Sequence, residues 1–548
     1  MRSSKVTGPR SSSKRSGSGT GSSLAATAAT TSRAGRPRIR RAILLATALT
    51  VLAVPPHAVG GEKVLVQALE GQPESLDTAK ASSERANRVL WLLGDALLNI
   101  SKDGKSLEPG LARSWTLSED GLQAVFSLRP GVTFHDGTIL NARAVRENFD
   151  RQFLPNHPLY SKEPGNTKEQ LLTQLIDSIE VRDDLTVAFK LKYPGLHYLS
   201  QIEIASPTAL AKLGKEFARA PAYTGPFRFD RWEKDRLVLV ANDRYWAGRP
   251  KLDQVVFQFI PGGEALVEAM LKGGVDFSPV LPEPTLFERL RDDSRVTLVQ
   301  VPSLNVFYLG FYAERAPLNN PHLRRAVAHA VNVDRAAQAL GRGVALPAKG
   351  PLSPAILGYD PSVTQAAYDP RLARESVARA GENPTLTLRL VHNNTTPFDV
   401  DLASSIRVDL RQIGITVHLL GKSGFNEMLK AVRAREGDMF MYSWHVRSPH
   451  PERLLRPLFH SKFSGTSNLT QYSNSKLDGL LDDVLMVPEG PAQAKLYSQI
   501  QKMIVDDAPM VFLYHSTRMA AYADRVKGLE LNLGALPHDK LVKVDLAP

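Results

Sequence analysis

The chain has 548 residues, 43% of them hydrophobic, with 38 Gly, 37 Pro and no Cys. That length and apolar fraction imply two or more lobes with sizeable cores and exclude wholesale disorder. The missing cysteine rules out disulfides, thiolate metal clusters, a cysteine nucleophile and a lipidated cysteine.

The formal charge of +12 is concentrated at the start. Residues 1–58 hold ten Lys/Arg and no acidic residue, which leaves 58 basic against 56 acidic residues in the rest. A basic nucleic-acid surface thus loses its support, and no nucleic-acid partner is expected. Residues 1–36 are rich in Ser, Gly, Thr and Arg and cannot bury enough apolar surface to repay their ordering entropy. Arg38, Arg40 and Arg41 then precede the 13-residue apolar run Ala42 to Val54 and the sequence Pro55-Pro56-His57-Ala58. This order reads as a disordered leader and signal peptide over 1–58, with cleavage near Ala58 and with the Sec and twin-arginine routes both open. The run is shorter than the roughly 20 residues of a membrane span. With no cysteine to lipidate, the mature chain is expected free in the periplasm and not lipid-anchored.

Turn signals at Gly104, Asp120-Gly121, Asp136-Gly137 and Gly262-Gly263 punctuate the first half. A helix is predicted from Pro321 to Gly341, with Leu323, Ala326, Val327, Ala330 and Val331 on one face. Leu386, Leu388 and Leu390 alternate as a strand. Leu402, Ile406, Leu410 and Ile413 follow at helical spacing, Gly414 stops the helix, and Ile415, Val417 and Leu419 alternate again. This is the order of a parallel β-α-β crossover. A later helix carries Leu496, Tyr497, Ile500, Met503 and Ile504. There is no internal repeat, and the alternation favours α/β layers.

Several segments then fall into a specific order. Leu107-Glu-Pro-Gly-Leu-Ala-Arg-Ser-Trp115, Phe126-Ser-Leu-Arg-Pro-Gly131 and Val132-Thr-Phe-His-Asp-Gly137 come first. Tyr223-Thr-Gly-Pro-Phe227, Asn242-Asp-Arg-Tyr-Trp246, Leu323-Arg-Arg-Ala326, Tyr368-Asp-Pro370 and Asp507-Ala-Pro509 follow. Together they resemble the family 5 extracellular solute-binding proteins, the peptide, dipeptide, nickel and glutathione receptors of ABC importers, over nearly all of 62–548. The resemblance implies an α/β, two-lobed periplasmic-binding-protein type II fold with an extra subdomain in the N-terminal lobe. The N-terminal lobe is placed at 59–309 plus 516–548, with the extra subdomain at about 100–230, and the inserted C-terminal lobe at 310–515. Strands near Asn305–Phe311 and Val511–Tyr514 cross between them. The expected partners are a small-molecule or short-peptide ligand and an ABC permease and ATPase complex in the inner membrane. The chain is expected to be a monomer without a cofactor. Many motif residues have structural readings of their own. His135-Asp136-Gly137 and Thr224-Gly225-Pro226 read as turns, and Trp115, Trp232 and Trp246 as packing aromatics.

The segment Met439 to Phe459 carries the ligand argument. Peptide-binding relatives have Gly-Trp-x-Ala-Asp here and then an Asp-Pro; counted from Trp444, those acidic positions are Arg447 and His450. The reversed charge disfavours a peptide ammonium and favours a carboxylate on Arg447, with Trp444 packing against the solute. His445 and Phe307 complete this wall. Asn393 joins them because it ends a strand, where ligands of open α/β sheets gather. Ser82 and Ser83 lie where relatives present contacts from the other lobe. Two rival readings exist. A nickel or metal-chelate receptor shares the fold, but His445 and His450 have no acidic ligand beside them in sequence, so no metal site is assigned. A secreted hydrolase would need a nucleophile elbow or a His-Glu-x-x-His pair; neither is present, and no catalytic residue is assigned.

Overall fold

The computed structural model describes residues 61–547 apart from 105, 161–166, 281–283, 341–343, 382–385, 447–448 and 533–534. The leader and signal peptide expected over 1–58 lie outside the described residues, as does Arg447. Among the described residues no helix is long and apolar enough to cross a membrane.

A twelve-stranded sheet organises the chain, and it has two halves. In one, Val64–Leu69 pairs in parallel with Gln254–Phe259, which continues antiparallel to Arg236–Ala241 and then Phe227–Trp232. In the other, Thr387–Asn393 runs parallel to both Thr416–Lys422 and Met439–Trp444, and the latter pairs antiparallel with Val306–Phe311. The strand Met510–Ala523 belongs to both halves. Its first part pairs with Val306–Phe311, and its second with Val296–Pro302 and Phe277–Ser278. Where the halves meet, Ser303 Oγ and Ser516 Oγ are 2.7 Å apart, and the Ser303 N–H donates to the Ser516 carbonyl at 3.0 Å.

The β-α-β unit forms as its periodicity predicts. Leu388 is opposite Val417, and Leu402, Ile406 and Leu410 of the helix Pro397–Arg411 are buried under the sheet. Gly414, at φ +88°, permits the tight return that an L side chain would strain. The single helix expected from Pro321 to Gly341 is instead two, Pro321–Ala330 and Val333–Gln338. The break has a local cause: Asn332 leaves helical geometry and its side chain caps the second helix by accepting from the Arg335 N–H. The apolar spacing ran through the break, but the cap decided the boundary.

A separate four-stranded antiparallel sheet is built from Ala112–Leu117, Gln123–Leu128, Thr186–Leu191 and Ile176–Asp183. The helix Ala142–Phe153 covers it, and Phe126, Phe149 and Phe189 meet edge to face in a core of their own. The turn at His135-Asp136-Gly137 forms as read, with Asp136 accepting from the Thr138 N–H and Gly137 at φ +87°. It lies against the Thr224–Pro226 turn, through His135 Nε2 and the Gly225 carbonyl, 3.1 Å apart. A Cβ on Gly225 would come within 2.6 Å of the Leu92 carbonyl oxygen, so only glycine fits. Trp246, Tyr245 and Thr224 all donate to the buried carboxylate of Asp95, which also pairs with Lys540 at 2.7 Å. Trp115 and Trp246 pack on the core of the four-stranded sheet, and Trp232 on that of the larger one.

Candidate functional site

Three strands end together at one rim of the second half-sheet. The parallel strands Thr387–Asn393 and Met439–Trp444 bring their carboxyl ends there, and the antiparallel Val306–Phe311 brings its start. The chain leaves the first into the helix Pro397–Arg411, and leaves Thr416–Lys422 into the helix Phe425–Arg433. A cavity of about 110 Å³ opens between them, with Phe307, Asn393, Asp399, Phe425, Tyr442 and Tyr514 in its wall. Strand ends of open α/β sheets are where backbone diverges and leaves such room.

Aromatic rings give the cavity its shape. Phe307 stacks on Tyr514 with centroids 4.4 Å apart, and Phe425, half exposed, lies over Tyr442 at 5.8 Å. Burial raises the pKa of both tyrosines, so each phenol stays neutral and can donate or accept a hydrogen bond. The polar side is Asn393 and Asp399. Asn393 Nδ2 donates to Asp399 Oδ2 at 3.0 Å, and the Thr396 hydroxyl donates to the same oxygen at 2.6 Å. These bonds fix the carboxylate at the start of its helix, where the positive end of the dipole favours it. The volume is below the roughly 300–1,000 Å³ usual for a whole small-molecule site. It suits one arm of a solute rather than all of it.

The expected site residues separate into three groups. Phe307 and Asn393 are in the cavity wall, and His445 stands beside it, edge-on to Phe307 at 5.7 Å and 3.0 Å from the Ser443 hydroxyl. Crowding by protein, then the Arg518 guanidinium, lowers the His445 pKa although part of its ring is open to solvent, while Glu84 opposes them. Arg518 is itself ion-paired with Glu84. Trp444 packs on the same core as Tyr442, outside the cavity lining, and its Nε1–H donates to the Arg453 carbonyl at 2.9 Å. Ser82 and Ser83 bind Glu74 through their N–H groups at 2.7 Å each, and Ser83 caps the helix Glu84–Leu93. Burial alone would raise the Glu74 pKa, but these bonds and the Ser83 hydroxyl hold it at about 2.

Sequence reasoning missed Asp399, Phe425, Tyr442 and Tyr514. The strand-end argument that selected Asn393 applies equally to the turn after Lys422, which delivers Phe425. His450 is buried and stacks on His197, with Glu489 beside them. The acidic neighbour absent along the chain is thus supplied through space.

A sheet divided between two halves, joined by a shared strand and carrying a cavity at its strand ends, is that of the type II periplasmic-binding-protein fold. The chain belongs to the bacterial extracellular solute-binding proteins, family 5, whose model matches residues 106–466. It is 30% identical over 458 residues to heme-binding protein A of Haemophilus influenzae, covering 79% of this chain and 83% of that one. It is also 30% identical over 508 residues to the glutathione-binding protein GsiB of Pectobacterium atrosepticum, covering 89% of this chain and 96% of the relative. Among solved structures, HbpA2 from Haemophilus parasuis superposes with a TM-score of 0.83 at 24% identity, over 88% of this chain and 100% of the other. The family is one of binding proteins that serve ABC importers, and its curated relatives include periplasmic ones.

Proposed function

We propose that this chain is a periplasmic receptor that captures a small peptide-like or carboxylate-bearing solute between two lobes and hands it unaltered to an ABC permease. The lobes divide near residues 310 and 515, and the exported chain acts as a free monomer. The observation that carries this reading is the aromatic-walled cavity at the strand ends with Asn393 and Asp399 on one side. Its size fits a single side-chain-sized arm, as a peptide-like solute would present. Heme and glutathione, named for the two relatives above, both carry carboxylates, which agrees with the arginine at position 447.

Closure follows only to the extent that the closed form binds the solute better. Native mass spectrometry of the purified chain should find one small molecule per protein. Isothermal titration with glutathione and with dipeptides should then give saturable one-to-one binding without product formation. Arg447→Glu is expected to weaken an anionic solute by more than about tenfold, as befits a lost charge-assisted hydrogen bond, with little change in melting temperature. Unchanged affinity in that variant would remove Arg447 from the site, and turnover of the bound molecule would reject the receptor reading.

A further inference from the structure

Away from the solute cavity, two imidazoles lie face to face between separate cores. His197 and His450 have ring centroids 3.8 Å apart and planes 5° from parallel. His197 sits in the short 3-10 turn Leu196–Gln201, whose Leu196, Tyr198 and Leu199 belong to the core of the four-stranded sheet. His450 and Glu489 each stand just before a helix, Glu452–Phe459 and Pro491–Asp507, whose apolar residues form the other core. One donor atom from each of His197, His450 and Glu489 lies within 4.8 Å of the other two.

The bonding state of His197 is informative. Its Nδ1 is 2.8 Å from Glu489 Oε1, and opposite an ionised carboxylate that nitrogen carries the proton. The lone pair is then on Nε2, which is buried and has no hydrogen-bond partner among the described residues. A carboxylate on Nδ1 lies across the ring from Nε2, so an ion taken up by both His197 and Glu489 replaces this bond. A second buried atom is in the same condition: the hydroxyl of Tyr497, whose ring meets His450 edge-on at 6.0 Å, also lacks a partner among the described residues.

We propose that His197, His450 and Glu489 form a site for a divalent transition-metal ion of the zinc–nickel class, bridging the two cores. Two imidazoles and a carboxylate are a donor set that such ions accept. Only neutral imidazole binds metal, and both rings are buried, where the charged form is disfavoured. Arg453 opposes a cation here, and Glu489 favours one. Metal bonds of about 2.0–2.1 Å at tetrahedral angles place donors roughly 3.3 Å apart. The rings therefore turn out of their parallel stack as the ion enters. Three protein ligands leave a fourth position for water, which the Tyr497 hydroxyl could partner. An ion held from both sides binds best where the two cores are apposed, so it favours that arrangement. This site is independent of the solute cavity and of the reading based on it.

The test is isothermal titration of the chelator-treated full chain with zinc chloride and with nickel chloride at neutral pH. One ion per chain at micromolar affinity or tighter is expected, weakened at least tenfold by Glu489→Gln and by His450→Gln and unchanged in His418→Ala, an exposed histidine on the sheet. No stoichiometric binding, or binding that both substitutions leave intact, overturns the proposal. Glu489 is 37% exposed in its side chain, so its variant keeps the test decisive should the buried His450→Gln fail to fold.

Discussion

Two buried polar clusters, around Asp95 and around His197, draw residues from distant parts of the chain and end in opposite states. The Asp95 carboxylate receives four donors, from Lys540, Thr224, Tyr245 and Trp246. Burial would raise its pKa, but Lys540 and these hydrogen bonds hold it below the ordinary value. The cluster at His197 leaves a ring nitrogen and a tyrosine hydroxyl without partners among the described residues. Satisfied buried polar groups fix a fold, whereas unsatisfied ones mark places where something else belongs. The contrast separates a structural network, built largely from family motif residues, from a candidate binding site that the chain assembles through space.

Breaking the satisfied cluster has the largest expected effect. Asp95→Ala leaves Lys540 charged, buried and unpaired, and should cost about 3–5 kcal/mol in urea unfolding. A loss below about 1 kcal/mol would show that water reaches Lys540 and that the network is not structural. Acidification comes next. His135, which bonds the turn beside Asp95, and His515, at the junction of the two half-sheets, are held neutral by burial, each pushed down to about 4. Unfolded imidazoles take up protons near 6.5, so between those values the unfolded chain binds more protons. Stability is intact above about pH 6.5 and falls toward pH 4, by up to about 1.4 kcal/mol per pH unit for each ring. Urea midpoints at pH 7 and pH 5 check the sign; equal midpoints would mean that neither ring is desolvated. The smallest effect belongs to His197→Phe, which removes an unsatisfied nitrogen, keeps a flat ring on His450 and gives up the bond to Glu489, a carboxylate exposed enough to be rehydrated. Its expected cost in metal-free protein is under about 1 kcal/mol. If it matched Asp95→Ala, the two clusters would not differ as described.

The fold was legible where one short stretch of sequence contains its own reason. Alternation and helical spacing between Leu386 and Leu419 contain the whole crossover unit, and His135-Asp136-Gly137 contains its turn. The end of the helix at Ala330 was hidden because alanines and valines continue the apolar spacing, although Asn332 followed by Asp334 is a readable start signal. Of the cavity, only the residues flagged by a strand end or a crossing strand, Asn393 and Phe307, could be found from the sequence. Tyr514 and Tyr442 read as ordinary strand aromatics until the sheet sets them around a common space. Trp444, selected by its position in a family motif, packs on the same core as Tyr442 with its indole N–H on the Arg453 carbonyl. His197 was beyond reach: its partners lie more than 250 residues along the chain, and no local pattern links them.

The strand Met510–Ala523 has a consequence for the order in which this molecule can be made. Every strand it pairs with precedes it in the chain, and it supplies pairing to both half-sheets. Until residues 510–523 have been synthesised, each half presents raw β-edges, and neither can finish as an autonomous folding unit. A polypeptide wired in this way matures late and all at once. A version stopped at residue 509 should accordingly leave neither half of the twelve-stranded sheet resistant to a nonspecific protease.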